Sequence, residues 1–577
     1  MSYKTQIIDD VFILKNNLSV QEYSDTSDNF IITGKFRIDN IKELKKIIEY
    51  TDTLEINDED LLIALYQKLG DNFLQYLVGD FSFVIWDKQR ETLFCARDRM
   101  GLYRFFYFYD NEKYVFSPEI SSLLNLFPEN RKPNINSMKS FYLNRGTINL
   151  ENTMYDSIYS LPPSCTLSYK KGKVKIDRYW FPELIKIDDN ITLESAKKKF
   201  QDIFRESITC RLKSNTPVGV ELSGGLDSSS ITCIASQLDN KQKLYAMSLR
   251  YGENKYDESE YIDAVLEQTK IDNFSFDSTQ IDYKNEDILK FMYSTDSSWP
   301  WYLTGIDGLY LLDKAKNKNI QIVLTGLGGD EITAGTFYVF ADYFIKLHWI
   351  TLIRELYVLK FDKSIIKRYL ILPLLSKKQK HRLVKIKSFL TLKRIKNKYN
   401  STIHSAPLFD RKKCQYIAQE AEISAVLSRH FSSWVDNNPT HSAKYFGIEM
   451  RHPFYDKRLV EFALSLPIKF KYSQGHFKII LKEAMEGILP ENIRKRNDKA
   501  TFNQLIMDAI NGIDLEEFWQ ESYISDLEIV RKSEIFDLVR KYNDDNRKFS
   551  NELWCLINLE YWYRINFTEE VTCNDSV

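Results

Sequence analysis

The stretch Glu221-Leu222-Ser223-Gly224-Gly225-Leu226-Asp227-Ser228-Ser229-Ser230 decides the fold of this chain. It follows the short apolar run 217–220 and precedes the apolar run 231–235, so the order is buried strand, tight turn and helix. Such a turn places backbone N–H groups at a helix start, where a phosphate or pyrophosphate binds. Paired glycines let the backbone come close to that anion. The candidate nucleotide-binding residues are therefore Leu222, Ser223, Gly224, Gly225, Asp227 and Ser228.

Two aspartates indicate a magnesium ion. Asp227 would repel phosphates unless a divalent cation lay between them. A second apolar run, 321–325, is followed by Gly326-Leu327-Gly328-Gly329-Asp330-Glu331. In a doubly wound parallel sheet, ligands bind beyond the carboxyl ends of strands where the strand order reverses. Asp227 and Asp330 are expected to share Mg²⁺ there, with Thr325 and Gly326 lining the nucleotide site. The alternative for both acids is a helix cap.

A third strand is predicted at 243–249. The backbone around Met247 is expected to meet the adenine edge, or else the Met247 side chain is plain core. The chain has neither G-x-x-x-x-G-K-[ST] nor G-x-G-x-x-G, which excludes a γ-phosphate-transferring P-loop and a dinucleotide fold. The Ser223–Ser228 turn resembles the pyrophosphate loop of ATP pyrophosphatases, which cleave ATP between the α and β phosphates.

Two further motifs lie near the C-terminal end, one at 447–456 and the other at 494–502. The order and spacing of all four motifs resemble the synthetase domain of asparagine synthetase and its relatives, β-lactam synthetase and lasso-peptide cyclase. The resemblance implies that Lys499 meets the α-phosphate and that Glu449 is the base or orients an amine. The alternatives are a solvated basic run for Lys499 and a buried partner of Arg451 for Glu449. Arg451 and Asp456 are expected to form a salt bridge with each other.

The N-terminal part resembles a glutaminase-type sandwich of two antiparallel sheets. The matching segments are 78–87, 96–101 and 116–120, and the alternation of apolar residues over 78–86 independently predicts a core strand. The expected fold class is α/β. A degenerate glutaminase-like sandwich (1–185) is followed by a doubly wound parallel sheet of the ATP pyrophosphatase type with helical additions (190–577). A capping pattern at Thr192–Ser195 starts the second domain.

Glutaminase chemistry is expected to be missing. That reaction needs an N-terminal cysteine, whereas this chain begins Met1-Ser2-Tyr3, and no R-G-P-D segment occurs. The family's N-G-E-I-Y-N reads Gly34-Lys35-Phe36-Arg37-Ile38-Asp39-Asn40. The nucleophile is then an amine already on the substrate. Leu327 stands where asparagine synthetases carry Glu and β-lactam synthetase carries Tyr, so it supplies neither group.

The leading hypothesis is a peptide macrolactam synthetase resembling the lasso-peptide cyclase. It would use ATP and Mg²⁺ to adenylate an Asp or Glu side chain of a ribosomal precursor peptide, whose N-terminal amine then attacks and releases AMP. The resemblance also suggests a leader peptidase and a leader-binding protein as partners. The alternatives are asparagine synthesis from free ammonia, a β-lactam synthetase-like small-molecule cyclase, a tRNA-binding protein and a catalytically silent partner.

Composition narrows the class of protein. At 577 residues, with 44% apolar and 14% aromatic residues, the chain holds at least two domains with large cores. A net charge of −1 disfavours nucleic acid, and scattered cysteines fit a reducing cytoplasm. No signal peptide or long apolar run is present, so no membrane contact is expected.

Residues 341–400 carry 16 Lys and Arg against 3 Asp and Glu. They are expected to form either a solvated face or a dock for an acidic partner or peptide.

Overall fold

The computed structural model describes residues 4–8, 11–15, 23–24, 29–50, 56–109, 114–143, 150–170, 173–239, 241–252, 257–278, 306–376, 379, 409–427, 443–496 and 503–568. These residues form an N-terminal pair of sheets, a C-terminal parallel sheet and helices around both.

The N-terminal sheets are built from eleven strands. One sheet has the order β1-β2-β8-β7-β9 and the other the antiparallel order β11-β10-β6-β5-β4-β3. The first is antiparallel except where β2 runs parallel to β8. The strands are β1 Lys4–Ile8, β2 Val11–Lys15, β3 Tyr23–Ser24, β4 Phe30–Ile38, β5 Gly79–Asp87, β6 Thr92–Arg97, β7 Phe106–Tyr109, β8 Tyr114–Ser117, β9 Tyr159–Ser160, β10 Cys165–Lys170 and β11 Lys173–Arg178.

The predicted core strand is β5, and its alternation separates two cores. Phe81, Phe83 and Ile85 pack with the helices on one side, whereas Val84 and Trp86 pack against the other sheet. Both faces are buried, which is why the strand carries apolar residues on both sides. The expected sandwich is therefore present.

The C-terminal sheet is parallel, with the order β14-β13-β12-β15-β16. Its strands are β12 Val218–Glu221, β13 Leu244–Arg250, β14 Asp272–Asp277, β15 Ile322–Leu324 and β16 Glu449–Arg451, and a small hairpin follows as β17 Tyr472–Ser473 and β18 His476–Phe477. The chain moves outward from β12 to β14 and then crosses to β15 on the other side of β12. The strand order therefore reverses between β12 and β15, as the sequence predicted.

The helices are α1 Ile41–Ile47, α2 Asp58–Leu69, α3 Ile120–Leu126, α4 Ile135–Leu143, α5 Leu193–Arg211, α6 Leu226–Gln237, α7 Ser259–Thr269, α8 Ile306–Asn317, α9 Gly329–Thr333, α10 Val339–Ile345, α11 Trp349–Val358, α12 Lys363–Ile365, α13 Leu372–Leu374, α14 Ile417–Val426, α15 Lys457–Ser465, α16 Ile479–Ala484, α17 Glu491–Arg494, α18 Asn503–Asn511, α19 Leu515–Phe518, α20 Tyr523–Asp526, α21 Lys532–Asp544 and α22 Asn546–Phe567. A π-helix, Ile366–Ile371, joins α12 to α13. Thr192 caps α5 by accepting from the Ser195 N–H at 3.2 Å, which confirms the predicted helix start.

The last helices do not pack on the parallel sheet. Residues of α18 to α22 share one core with β7, β8, α3 and α4 of the N-terminal part. The rings of Tyr155 and Trp562 lie 5.4 Å apart edge to face, and the Tyr155 hydroxyl donates to Asn566 Oδ1 at 2.9 Å. The N-terminal sandwich is therefore completed by helices from the far end of the sequence. Within the described ranges, no helix is long and apolar enough to cross a bilayer.

Candidate active site

The glycine-rich turn after β12 has the geometry that the sequence predicted. Helix α6 begins at Leu226 with Gly225 as its N-cap, so its first N–H groups face the turn. Ser228 Oγ accepts from the Ser223 N–H at 3.2 Å and lies 3.0 Å from Ser223 Oγ. Gly224 has φ of +78°, and a Cβ there would lie 3.0 Å from Glu258 O. The turn is thus compact, and its positive φ and close contacts at position 224 require glycine there.

The two aspartates predicted to share a metal ion lie together. Lys478 Nζ is 2.5 Å from Asp227 Oδ2 and 2.6 Å from Asp330 Oδ1, so one cation bridges both carboxylates. Burial alone would lower the pKa of Lys478, but Asp227 and Asp330 outweigh it and raise the pKa. Neither aspartate is a helix N-cap, because Gly225 and Gly328 occupy those positions. The capping alternative is therefore wrong for both.

The second turn is shaped around the first. A Cβ on Gly329 would lie 2.4 Å from Asp227 Cγ, and one on Gly326 would lie 3.1 Å from the Ser228 N–H nitrogen. Such approaches exclude any side chain at Gly329 and crowd one at Gly326. The glycines after β15 are thus required so that this turn can pack against the turn after β12.

The residues present fit a magnesium ion carried by nucleotide phosphates. Mg²⁺ is usually held by one or two carboxylates together with phosphate oxygens and water, rather than by an all-protein cage. Asp227 and Asp330 supply those two carboxylates. Among the described residues, no group of three or more His, Cys, Asp and Glu side chains could hold a metal ion by itself. A metal here would therefore depend on the nucleotide for its remaining ligands.

Thr325 and His452 form a buried pair at the ends of β15 and β16. Thr325 Oγ1 lies 2.7 Å from His452 Nδ1 and accepts from the Leu327 N–H at 3.3 Å. Burial first, and then the cations Arg211 and Arg37, lower the pKa of His452 to about 3. The ring is therefore neutral and fixes the Thr325 side chain at the start of the Asp330 turn.

Two predicted nucleotide residues, Met247 and Leu222, are core side chains. Met247 is 2% exposed and packs in the cluster between the sheet and α8, where its Sδ fills the space beside Gly219. Its carbonyl accepts from the Leu222 N–H at 2.8 Å. The contacts of Met247 favour plain packing over an adenine contact. Leu222 is 1% exposed, its N–H donates to Met247 and its carbonyl accepts from the Ser248 hydroxyl at 2.8 Å, so its contacts also favour a core role.

Glu449 lies in an ion pair at the boundary of the two domains. Arg451 donates to both of its oxygens at 3.0 Å, and the Tyr103 hydroxyl donates to Oε1 at 2.8 Å. Burial would raise the pKa of Glu449, but Arg451 and Lys35 lower it to about 2. A carboxylate with that pKa is a weak base, so these contacts favour the structural alternative.

Arg451 and Asp456 do not pair with each other, so that expectation is wrong. Arg451 binds Glu449 and two backbone carbonyls, those of Arg211 and Lys213. Asp456 instead accepts from Arg211 at 2.9 Å, in a pair that is almost completely buried. The reason is that α5 ends between them and presents Arg211 to Asp456.

The segment that replaces N-G-E-I-Y-N is used in structural contacts. Arg37 binds Asp39 at 3.1 Å and Asp80 at 2.8 Å, and both acids approach Arg211 of α5 at under 4 Å. Asn40 Oδ1 accepts from the Val78 N–H at 3.0 Å. Asp39 and Asp80 of the sandwich thus contact the second domain through ion pairs with Arg211.

Lys499 lies outside the described residues, but the chain just before it is fixed beside the nucleotide turn. The Arg496 guanidinium lies 4.1 Å from the Tyr261 ring centroid and pairs with Glu258 at 2.5 Å. Tyr261 and Glu258 are also the residues closest to Gly224. Arg496, the last described residue before Lys499, therefore lies beside the nucleotide turn.

Sequence reasoning missed Lys478 and Glu221. Lys478 stands outside the four motifs, 251 positions after Asp227, and no local pattern marked it. Glu221 ends β12, its side chain makes no hydrogen bond or ion pair with any described residue, and burial raises its pKa to about 7. Glu221 could have been found from the sequence, because it is a charged residue at the end of an otherwise apolar strand.

Comparison with known proteins finds two family matches along the chain. Residues 199–564 match the asparagine synthase family, and residues 13–180 match the glutamine amidotransferase domain. The protein called asparagine synthetase [glutamine-hydrolyzing] 3 of Bacillus subtilis is 28% identical over 463 residues, which cover 76% of this chain and 70% of that protein.

Two further relatives carry similar names. Asparagine synthetase [glutamine-hydrolyzing] 1 of Bacillus subtilis is 23% identical over 574 residues, covering 94% of this chain and 86% of the relative. A putative asparagine synthetase [glutamine-hydrolyzing] 2 of Methanocaldococcus jannaschii is 30% identical over 312 residues, covering 53% of this chain and only 59% of the relative. Because the asparagine synthase match alone spans more than half of the sequence, the chain belongs to the asparagine synthase family, whose members are ATP-dependent, AMP-forming amide ligases.

Proposed function

We propose that this protein closes a peptide macrolactam. A side-chain carboxylate of a precursor peptide attacks the α-phosphorus of ATP and releases pyrophosphate. The peptide's own N-terminal amine then attacks the acyl carbon, and AMP leaves as the amide forms. The observation that carries the adenylation step is the pairing of Asp227 and Asp330 at one edge of the sheet, beside the Ser223–Ser228 turn.

Each part of the site has a task in this scheme. The N–H groups at the start of α6 and the Ser223 and Ser228 hydroxyls bind the phosphates. Asp227 and Asp330 would hold Mg²⁺, which neutralises the phosphate oxygens when it is bound. Lys499 meets the α-phosphate, and Lys478 passes from the two carboxylates to the departing pyrophosphate. Glu449 is occupied by Arg451 and Tyr103 and has a structural role in this scheme.

An amine supplied by the substrate is supported by the N-terminal domain. Arg37, Asp39 and Asn40 stand where the family carries a glutamine-binding segment, and they are occupied in contacts within the N-terminal domain. Leu327 is partly buried against the main core and carries no polar group for a separate small nucleophile. An α-amine has a pKa near ~7.7, so about a sixth is neutral at pH 7 and needs little help from a base.

The test is incubation of the purified protein with ATP, Mg²⁺ and a candidate precursor peptide, encoded beside its gene, followed by mass spectrometry. We expect a peptide product lighter by one water, with AMP and pyrophosphate in equal amounts. Asp330→Asn is the matched variant, because it keeps size and removes charge, and it is expected to abolish AMP release. ADP as the nucleotide product would refute the scheme.

A second candidate is asparagine formation from aspartate and free ammonia, favoured by the names of the relatives. Aspartate-dependent release of AMP in ammonium buffer, with no peptide present, would establish it instead. In either case no disulfide joins any two of the six described cysteines, which fits a reducing cytoplasm. A leader peptidase and a leader-binding protein belong to the macrolactam proposal only.

A further inference from the structure

Exposed apolar side chains are concentrated in one segment of the surface. Of the 21 large hydrophobic side chains that are exposed in the described residues, 11 lie within residues 344–374. The most exposed are Tyr357 at 73%, Ile350 at 70%, Leu347 at 67% and Ile353 at 56%. Scattered exposed apolar residues are ordinary, but a contiguous group of this kind marks an interaction surface. We call this surface the 344–374 face.

The core of the protein does not need these side chains. Helix α11 already buries Leu352 and Leu356 against α10, α14 and the β17 strand. Ile350, Ile353 and Tyr357 point away from that cluster into solvent. Helix α11 is therefore apolar on two sides. Its inner side packs against α10, α14 and β17, and its outer side faces no described part of the chain.

The charges of the 344–374 face are almost all positive. Six Lys and Arg residues between 344 and 374 are exposed. Of the nearby acids, Asp342 is turned inward to accept from the Ala418 N–H at 2.8 Å, and Glu355 accepts from the Gln474 N–H at 2.8 Å. Only Asp362 remains outside, and it caps α12. The sequence from 377 to 400 then adds ten Lys and Arg without one Asp or Glu.

The rest of the chain has the opposite charge. The whole chain has a net charge of −1, so the excess of +13 in residues 341–400 leaves −14 for all other residues. An anionic surface would therefore attract the 341–400 segment, of which the 344–374 face is the greater part that the structure describes, and would repel the remainder. Charge complementarity thus defines the partner as broad and anionic.

We propose that the 344–374 face docks on an anionic lipid surface. Trp349 and Tyr357 among isoleucines, with Lys and Arg beside them, form the mixture that settles at the boundary between headgroups and acyl chains. Clusters of four to eight cations on such helices bind anionic lipids. The expectation of no membrane contact rested on the absence of a spanning segment, and the exposed face changes it. The docking does not depend on the proposed macrolactam activity.

The test is sedimentation of the full-length protein with vesicles of phosphatidylglycerol and phosphatidylcholine in equal parts, beside vesicles of phosphatidylcholine alone. We expect binding to the anionic vesicles only, weakened about tenfold or more by high salt. The variant I350D/I353D places charges at two exposed positions, so folding is preserved while binding is lost. Leu184→Asp, at 57% exposure outside the face, is the control and is expected to bind like the wild type.

Three outcomes would overturn the proposal. The wild type fails to bind anionic vesicles, or I350D/I353D binds them equally well, or the double variant only converts a dimer to a monomer in sedimentation velocity. If the wild type ignores vesicles while I350D/I353D loses processing of a peptide substrate, the face serves that peptide instead. A charge variant, K363E/K367E, separates the contributions, because it weakens binding to anionic vesicles without removing apolar surface.

Discussion

Replacing Lys478 with methionine tests how the two acidic turns are held together. Lys478 Nζ lies 2.5 Å from Asp227 Oδ2 and 2.6 Å from Asp330 Oδ1, so these oxygens are at most about 5 Å apart. At an effective dielectric constant near 20, two such charges repel by roughly 3 kcal/mol. The Asp330 side chain is 48% exposed, so solvent screens part of this repulsion, and we expect a loss of about 1–2 kcal/mol.

The assay is thermal unfolding of wild type and Lys478→Met, each with EDTA and with excess Mg²⁺ and ATP. In EDTA the variant is expected to unfold about 1–3 °C below the wild type. Mg²⁺ with nucleotide replaces the missing positive charge, so the gap is expected to shrink when both are added. Lys469→Met, an exposed lysine in the same region, is the control and is expected to unfold like the wild type under both conditions.

Equal unfolding temperatures for wild type and Lys478→Met in EDTA would refute the reasoning, since the carboxylates would then not depend on this cation. A gap that Mg²⁺ leaves unchanged would also count against it, because the metal would not be binding between Asp227 and Asp330.

Three other substitutions test separate parts of the site. Gly329→Ala is expected to abolish nucleotide binding in calorimetry while the far-ultraviolet circular dichroism stays unchanged, because its Cβ would lie 2.4 Å from Asp227 Cγ. Glu221→Gln is expected to stabilise the protein at pH 8 but not at pH 4. The raised pKa of about 7 means that the folded state keeps its proton longer than the unfolded state, so stability falls as pH rises from about 4.5 to 7. The loss is at most roughly 3 kcal/mol, and parallel pH profiles of unfolding would contradict it. Lys499→Met is expected to lower kcat on the order of a hundredfold with little change in nucleotide affinity, and unaltered turnover would remove Lys499 from the mechanism.

The sequence predicted the nucleotide edge of the fold because local chemistry determines it. A strand, a glycine-rich turn and a helix lie within about fifteen consecutive residues at each of the two turns. The meeting of Asp227 and Asp330 then followed from the rule that parallel strands share their carboxyl edge. The register, with Val218 opposite Ile322, confirms that inference.

Contacts between distant residues could not be read in the same way. Lys478 reaches Asp227 across 251 positions, and Tyr103 reaches Glu449 across 346 positions. The residues next to Lys478 and Tyr103 in the sequence form no pattern that identifies the partner of either side chain. The pairing of Arg451 was wrong for the same reason. Asp456 lies five residues away in sequence, but the end of α5 supplied a nearer cation.

Because α18 to α22 complete the core of the sandwich, this core can form only after the end of the chain has been translated. Strand β8 is translated 386 residues before α18 begins. At typical elongation rates that interval lasts roughly 20–80 s, during which the apolar cluster around Phe106, Phe108 and Ile120 lacks the part that α18 to α22 contribute. The nascent chain is thus a natural client for a holding chaperone, and a fragment ending at residue 185 is expected to aggregate when expressed alone. Co-expression of residues 503–568 as a separate polypeptide would rescue that fragment.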